Sequence, residues 1–260
     1  MNQTKSIQVQ GNALGGGTLP IIITPLVGKT QAALLDEVAA IVPKKPDLLE
    51  WRIDFFADIG DAKAVIASAQ AIRKAANGIP VLLTRRNVSE GGNPIPIAEP
   101  AVVAMYIAAC EAKCVEIIDY ELSNTPADLQ RLREVSKAKG VAMIMSYHNF
   151  QMTPDAETLD GKFAAASRLG ADVAKVAVMP KSEQDVLVLL AATDRARQAI
   201  DIPLISLSMG GVGSLSRIIG WIYGSAATFA VGKSSSAPGQ ISIEDLRVML
   251  ALVRKSVTGQ

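Results

Sequence analysis

Residues 173–180 read VAKVAVMP, a short run rich in β-branched residues, closed by a proline and interrupted by one charge, Lys175. Alternate residues of a strand face opposite sides, so a strand with this sequence is apolar on both faces. Strands of that kind sit in parallel sheets covered by helices. Seven more such runs flank it: PIIITPL (20–26), LLEWRI (48–53), PVLLTRR (80–86), CVEIIDYEL (114–122), VAMIMSYH (141–148), PLISLSMG (203–210) and ATFAVGK (227–233). Between them lie stretches with apolar residues at i, i+3 and i+4, such as QAALLDEVAAIV, AKAVIASAQAIRKAA and ADLQRLREVSKAK, the stripe of an amphipathic helix. Thr125-Pro126, Thr153-Pro154 and Ser242 read as helix starts, and Gly140 and Gly170 as stops.

Eight strand–helix pairs predict a (β/α)8 TIM barrel, because a parallel sheet of eight with helical crossovers closes on itself. An open doubly wound sheet is the alternative. Residues 1–18 fit neither a strand–helix unit nor a linker. SIQVQG followed by LGGG predicts a short β-hairpin across the bottom of the barrel. The whole chain, 1–260, is then one barrel domain with residues 1–18 as an N-terminal extension.

Bulk properties narrow the function. Hydrophobic residues make up 49% and charged residues 20% of the 260, so a large core can form, and the net charge of +1 gives no reason to expect nucleic acid or an anionic membrane as a partner. Cys110 and Cys114 are at helical spacing, and the single histidine cannot complete a metal ligand set, so no metal and no cofactor are expected. LPIIITPLV is too short to span a bilayer, and no stretch reads as a signal peptide. A reducing cytoplasm is the expected location.

Active sites of such barrels lie at the C-terminal ends of the strands. Those ends carry Glu50 and Arg52, Arg86 followed by Glu90, Asp119 and Glu121, His148, Lys175, and Met209 followed by Arg217. So many charges pointing inward without partners would be costly, which makes them candidates for a site. Lys175 reads either as an outward lysine or as a desolvated amine. Burial and cationic neighbours favour the neutral form of a lysine, which can attack a ketone and form a Schiff base. His148, one strand away, is placed to move protons at the carbons beside such an imine. Glu90 reads as a solvated loop residue or as the carboxylate that orients the imidazole. Arg52, Arg86 and Arg217 suggest an anionic or polyhydroxylated substrate. SSSAPGQ, 234–240, is small and polar enough to be a linker or a mobile lid.

These segments together resemble the type I 3-dehydroquinate dehydratases. The likeness rests on LLEWRIDFF, the stretch from Arg86 to SEGG, MSYHNF, GADVAKVAVMP, SMGGVGSLSRIIGWIYGSAATFA and SSSAPGQISIEDL, in the family's order and spacing. The resemblance implies a homodimeric (β/α)8 barrel acting on 3-dehydroquinate in the shikimate pathway. It implies that Lys175 forms an imine with the C3 ketone and that His148 serves as base and then acid in a syn elimination, oriented by Glu90. It also implies that Arg217 holds the substrate carboxylate and that Glu50, Arg52 and Arg86 meet the ring hydroxyls. Ser236 and Gln240 would come from the lid, and Met209 would line the pocket. Pro25 stands where some members have a serine, so that contact is unassigned, and Trp51 and Arg85 also depart from the usual pattern. A class I aldolase on the same barrel, or a non-catalytic binder of a hydroxylated carboxylic acid, are the other readings.

Overall fold

The computed structural model describes residues 5–9, 12–233 and 236–259. All eight expected runs form strands: β3 (Ile21–Leu26), β4 (Leu48–Arg52), β5 (Val81–Thr84), β6 (Ile117–Glu121), β7 (Ala142–Asn149), β8 (Val173–Val178), β9 (Leu204–Ser208) and β10 (Ala227–Val231). They pair in parallel, β10 against β3 and then in sequence through β9. The remaining seam, β9 to β10, is joined by one parallel bridge, Leu204 with Ser225. There Ala226 donates its N–H to the Leu204 carbonyl at 2.7 Å, and the Ser225 hydroxyl accepts from Ser206 N–H at 3.1 Å. The result is the predicted (β/α)8 barrel.

The crossovers are α1 (Gln31–Ile41), α2 (Ala62–Ala75), α3 (Glu99–Glu111), α4 (Pro126–Lys139), α5 (Ala156–Arg168), α6 (Glu183–Ala199), α7 (Ser214–Ile219) and α8 (Ile243–Thr258), the last after a two-residue strand, β11 (Ile241–Ser242), beside β10. Their starts follow capping chemistry: Thr125, Ser182 and Ser242 each accept a hydrogen bond from a backbone N–H of the first turn. Thr153-Pro154 is a near miss, since Asp155 caps α5 through Thr158 N–H. Gly140 ends α4 with φ of +71°, a conformation glycine adopts without strain.

Two apolar clusters follow from the strand alternation. Outward residues such as Leu49, Leu83, Ile118 and Met143 pack under the helices. Inward residues such as Ile23, Leu48, Leu82, Ile117 and Ile144 fill the barrel's lower half. The hairpin of β1 (Ser6–Val9) and β2 (Asn12–Gly15) belongs to that inner cluster, through Ile7 and Val9. It plugs the N-terminal end, as the sequence predicts, and leaves the site at the other end. Among the described residues, no helix is long and apolar enough to cross a membrane.

Candidate active site

The same alternation that buries Leu48, Leu82 and Ile117 turns the residues two and four positions later into the barrel. Glu50, Arg52, Thr84, Asp119, Glu121, Ser146, His148 and Lys175 are therefore inner-face residues, and all are buried. β9 and β10 instead present Leu207 and Phe229, with Met209 just beyond β9. Strands β4 to β8 bring charged and polar side chains to the mouth, whereas β9 and β10 bring apolar ones, with Arg217 of α7 between them.

Lys175 Nζ donates to Asp119 Oδ2 at 2.9 Å, lies 3.6 Å from Glu50 Oε1, and sits over the Phe229 ring at 4.8 Å. The expected cationic neighbours are not what touches it: the charges in contact with Nζ are carboxylates. Arg86 stands one carboxylate away. It binds Asp119 Oδ1 and Glu121 Oε1 at 2.8 Å each, and the Ser146 hydroxyl at 2.9 Å. Burial alone would raise the Asp119 carboxyl, but Arg86 and Lys175 outweigh it and hold Asp119 well below the usual carboxylate range.

His148 and Glu90 form a buried dyad. Glu90 lies in a single helical turn (Val88–Glu90) after β5, and its Oε2 accepts from His148 N–H at 2.8 Å and meets Nδ1 at 3.0 Å. Its Oε1 accepts from the Ser123 hydroxyl at 2.7 Å. Burial, then Arg86 and Lys175, push the imidazole far below its ordinary value, so it is neutral. Burial raises Glu90 to about 7, against the pull of Ser123 and Arg86. An ionised Glu90 fixes the proton on Nδ1 and leaves Nε2 as a free base.

The three arginines differ. Arg52 is held by Asp54, with Nε and Nη2 each 2.8 Å from a carboxylate oxygen, and Arg86 is held by Asp119, Glu121 and Ser146 as above while still lining the pocket. Arg217, on α7, is buried, and among the described residues no acid stands beside it. Among those residues its donors reach the carbonyls of Phe229 (3.5 Å) and Pro238 (3.1 Å), and its Nε meets no partner. Burial lowers this guanidinium to about 10. A buried cation with an unused donor is the complement of a carboxylate that arrives with a ligand.

A profile of the type I 3-dehydroquinase family matches residues 22–256. The 3-dehydroquinate dehydratase of Albidiferax ferrireducens is 52% identical, covering 99% of this chain and 97% of its own. The chain belongs to the type I 3-dehydroquinase family. The crystal structure of the Geobacillus kaustophilus 3-dehydroquinate dehydratase superposes with a TM-score of 0.94 at 45% identity, over 98% of this chain and 99% of that one. A Clostridium difficile type I 3-dehydroquinate dehydratase, solved with covalently modified comenic acid, gives 0.92 at 36% identity, over 97% and 99%.

In this type I 3-dehydroquinase the residues singled out in the sequence converge. Lys175, His148, Glu50, Arg52, Arg86, Met209, Arg217, Ser236 and Gln240 line one pocket, with Glu90 directly behind His148. Ser236 N–H donates to Gln240 Oε1 at 3.2 Å, and Arg52 Nη1 reaches the Ser236 carbonyl at 3.5 Å, so the segment lies over the mouth. Residues 234 and 235 of the expected lid lie outside the described residues. Arg86 faces the pocket, whereas Arg85 turns outward to Glu99 on α3. GGVGS, residues 210–214, leads into α7.

Asp119 is among the candidates from the sequence, with no partner assigned there, whereas Asp54 and Ser123 escape that reading. Asp54 follows the LLEWRI run and, besides Arg52, accepts from Asn93 N–H at 3.1 Å and Nδ2 at 3.2 Å, tying Arg52 to the loop that carries Glu90. Ser123, in the turn after β6, gave no signal at all.

Proposed function

We propose that this chain catalyses the syn dehydration of 3-dehydroquinate to 3-dehydroshikimate as a hydro-lyase of the shikimate pathway, through a Schiff base on Lys175. The observation that carries this reading is the meeting of Lys175, His148 and the acid-free guanidinium of Arg217 in one pocket. Once its ammonium has lost a proton, the amine adds to the C3 carbonyl, and the carbinolamine expels water to give an iminium. The iminium draws electrons from C2. His148 Nε2 removes a C2 proton and an enamine forms. The enamine electrons return and expel the C1 hydroxyl, which takes the proton from Nε2–H and leaves as water. Water then hydrolyses the iminium, releasing the enone and restoring Lys175.

Each neighbour has a part. Glu90 keeps Nε2 unprotonated at the start and supports the imidazolium once it forms. Arg217 pairs with the substrate carboxylate, and Glu50, Arg52 and Arg86 with the ring hydroxyls. Met209 lines the pocket, and Ser236 and Gln240 close it. A class I aldolase reading shares the lysine, but Arg217, which meets carbonyls and no carboxylate among the described residues, offers a planar fork suited to a carboxylate.

We also infer a one-domain enzyme, working without metal or cofactor as a cytoplasmic homodimer. The buried free thiols of Cys110 and Cys114, which burial pushes up to about 12 and 11, suit a reducing compartment. Exposed Leu215 on α7, with Val248 and Leu252 on α8, supplies apolar surface for a second copy. The decisive test is borohydride reduction in the presence of 3-dehydroquinate, followed by mass mapping. A reduced adduct on Lys175 supports the reading. An adduct on another lysine, or none, overturns it.

A further inference from the structure

The dyad of Glu90 and His148 forms a wall between two spaces. On one side is the substrate pocket. On the other is an outer cleft of about 520 Å³, lined by Ser123, Glu90, Tyr147, His148 and Phe150 among others. Glu90 is only 4% exposed, yet the hydroxyl bonded to its Oε1 belongs to Ser123, an exposed turn residue. Oε2 is committed to His148 through its backbone N–H and Nδ1. Ser123 is therefore the side chain whose hydroxyl is bonded to Glu90 on the cleft side.

We propose that Ser123 is a positioning residue that keeps Glu90 ionised from the outer cleft and thereby holds His148 in the tautomer whose Nε2 is free to act as base. The role of Nε2 rests on the reaction proposed above; the control of the tautomer does not. The logic is one of donors and acceptors. A hydroxyl donating to a carboxylate stabilises its charged form. If Glu90 takes a proton instead, that O–H donates to Nδ1, and the imidazole proton moves to Nε2. The ring is then the wrong tautomer for removing a proton from substrate.

The surrounding charges leave room for one hydroxyl to matter. Arg86, at the end of β5, favours the Glu90 carboxylate, and Glu121 on β6 opposes it. His148 itself faces Arg86, Lys175, Asp119 and Arg52. Burial raises Glu90 to about 7, and the strongest influence against that rise is the Ser123 hydroxyl. Glu90 therefore sits close to neutral pH, where a modest change in hydrogen bonding alters its state and, through it, the tautomer of His148.

The chain has one histidine, so its imidazole can be read without ambiguity. The test uses tag-free protein labelled with 15N-histidine, in three forms: wild type, Ser123→Thr and Ser123→Val. Threonine keeps the hydroxyl; valine removes it and fills the space that a water would take. Ser123 lies in an exposed turn with ordinary φ, so the variants should fold, and circular dichroism checks this. In wild type and Ser123→Thr, Nε2 should stay unprotonated until the pH falls to near 7. In Ser123→Val the change should begin about one pH unit higher, as expected for one hydrogen bond to a charged group. The acid limb of kcat/KM on 3-dehydroquinate should move with it, while the high-pH plateau and KM stay near wild type. A folded Ser123→Val whose imidazole titration overlays wild type overturns the proposal. Wild type lacking dehydratase activity would defeat the proposed reaction, and the imidazole spectra would still decide the role of Ser123.

Discussion

Asp119 Oδ2 lies 2.9 Å from Lys175 Nζ, and its other oxygen is fixed by Arg86 at 2.8 Å and Ser146 at 2.6 Å. The carboxylate is thus a permanent counter-ion at the reacting nitrogen. In the proposed reaction that nitrogen is positive both as ammonium and as iminium, so Asp119 stabilises the protonated iminium that serves as electron sink. Asp119→Asn keeps the shape and removes the charge. It should lower kcat by about 10²–10³-fold, the scale of one preorganised electrostatic contact, with little change in KM. Steady-state rates and the yield of borohydride-trapped adduct check this, and a kcat within about threefold of wild type would sink it.

Lys175→Ala and His148→Ala should separate the two halves of the chemistry. The lysine variant should form no adduct and lose several orders of magnitude in turnover, yet still bind substrate through Arg217 in calorimetry. The histidine variant retains the amine, so its adduct should still be trapped. Its turnover should fall by about 10²–10⁴-fold or more, since one imidazole serves two proton transfers. Retention of over a tenth of wild-type turnover by His148→Ala would refute its role.

The pH dependence follows from Glu90. Its folded-state value is raised to about 7, so the working carboxylate exists above that pH and is lost as pH falls through it. kcat/KM should therefore decline on the acid side with an inflection near 7. Glu90→Gln cannot titrate, so its profile should lack that limb, at a kcat lowered by about 10–100-fold. An unchanged acid limb in the glutamine variant would assign the titration to another group.

How much of this was legible follows from the range over which each signal acts. The eight strands, the helix stripes and the plugging hairpin are local patterns, and the sequence carries them. Lys175 stood out because one charge in VAKVAVMP breaks such a pattern. Its neighbours could not be read that way. Asp119 is 56 positions distant and reaches Nζ only through the register of three parallel strands, so the expectation of cationic neighbours failed. Asp54 and Ser123 look like ordinary polar residues in turns. Their importance comes from partners supplied by distant segments, Asn93 for Asp54 and Glu90 for Ser123.

Arg217 and Gln240 give a contrast in kind. If Arg217 binds the carboxylate with both arms of its fork, Arg217→Lys should raise KM strongly, by about 10-fold or more, because an ammonium offers a point charge. Gln240→Ala removes a contact of the closing segment and should lower kcat/KM only moderately. Kinetics of the two variants decide it: equal, small effects would mean that another arginine holds the carboxylate.

The β9–β10 seam has a mechanical meaning. Every other junction of the barrel is a ladder, whereas this one is a single bridge with the Ser225 hydroxyl filling in for the backbone. It is the barrel's zip, and under native fluctuation it should part first. Arg217 stands at that zip, on the helix between the two strands, and reaches across to Phe229 of β10. An anion seated on Arg217 would therefore act as a clasp. Binding the substrate carboxylate and holding the barrel shut become one event, and the amides of Ser206 and Ala226 should exchange more slowly once the pocket is filled.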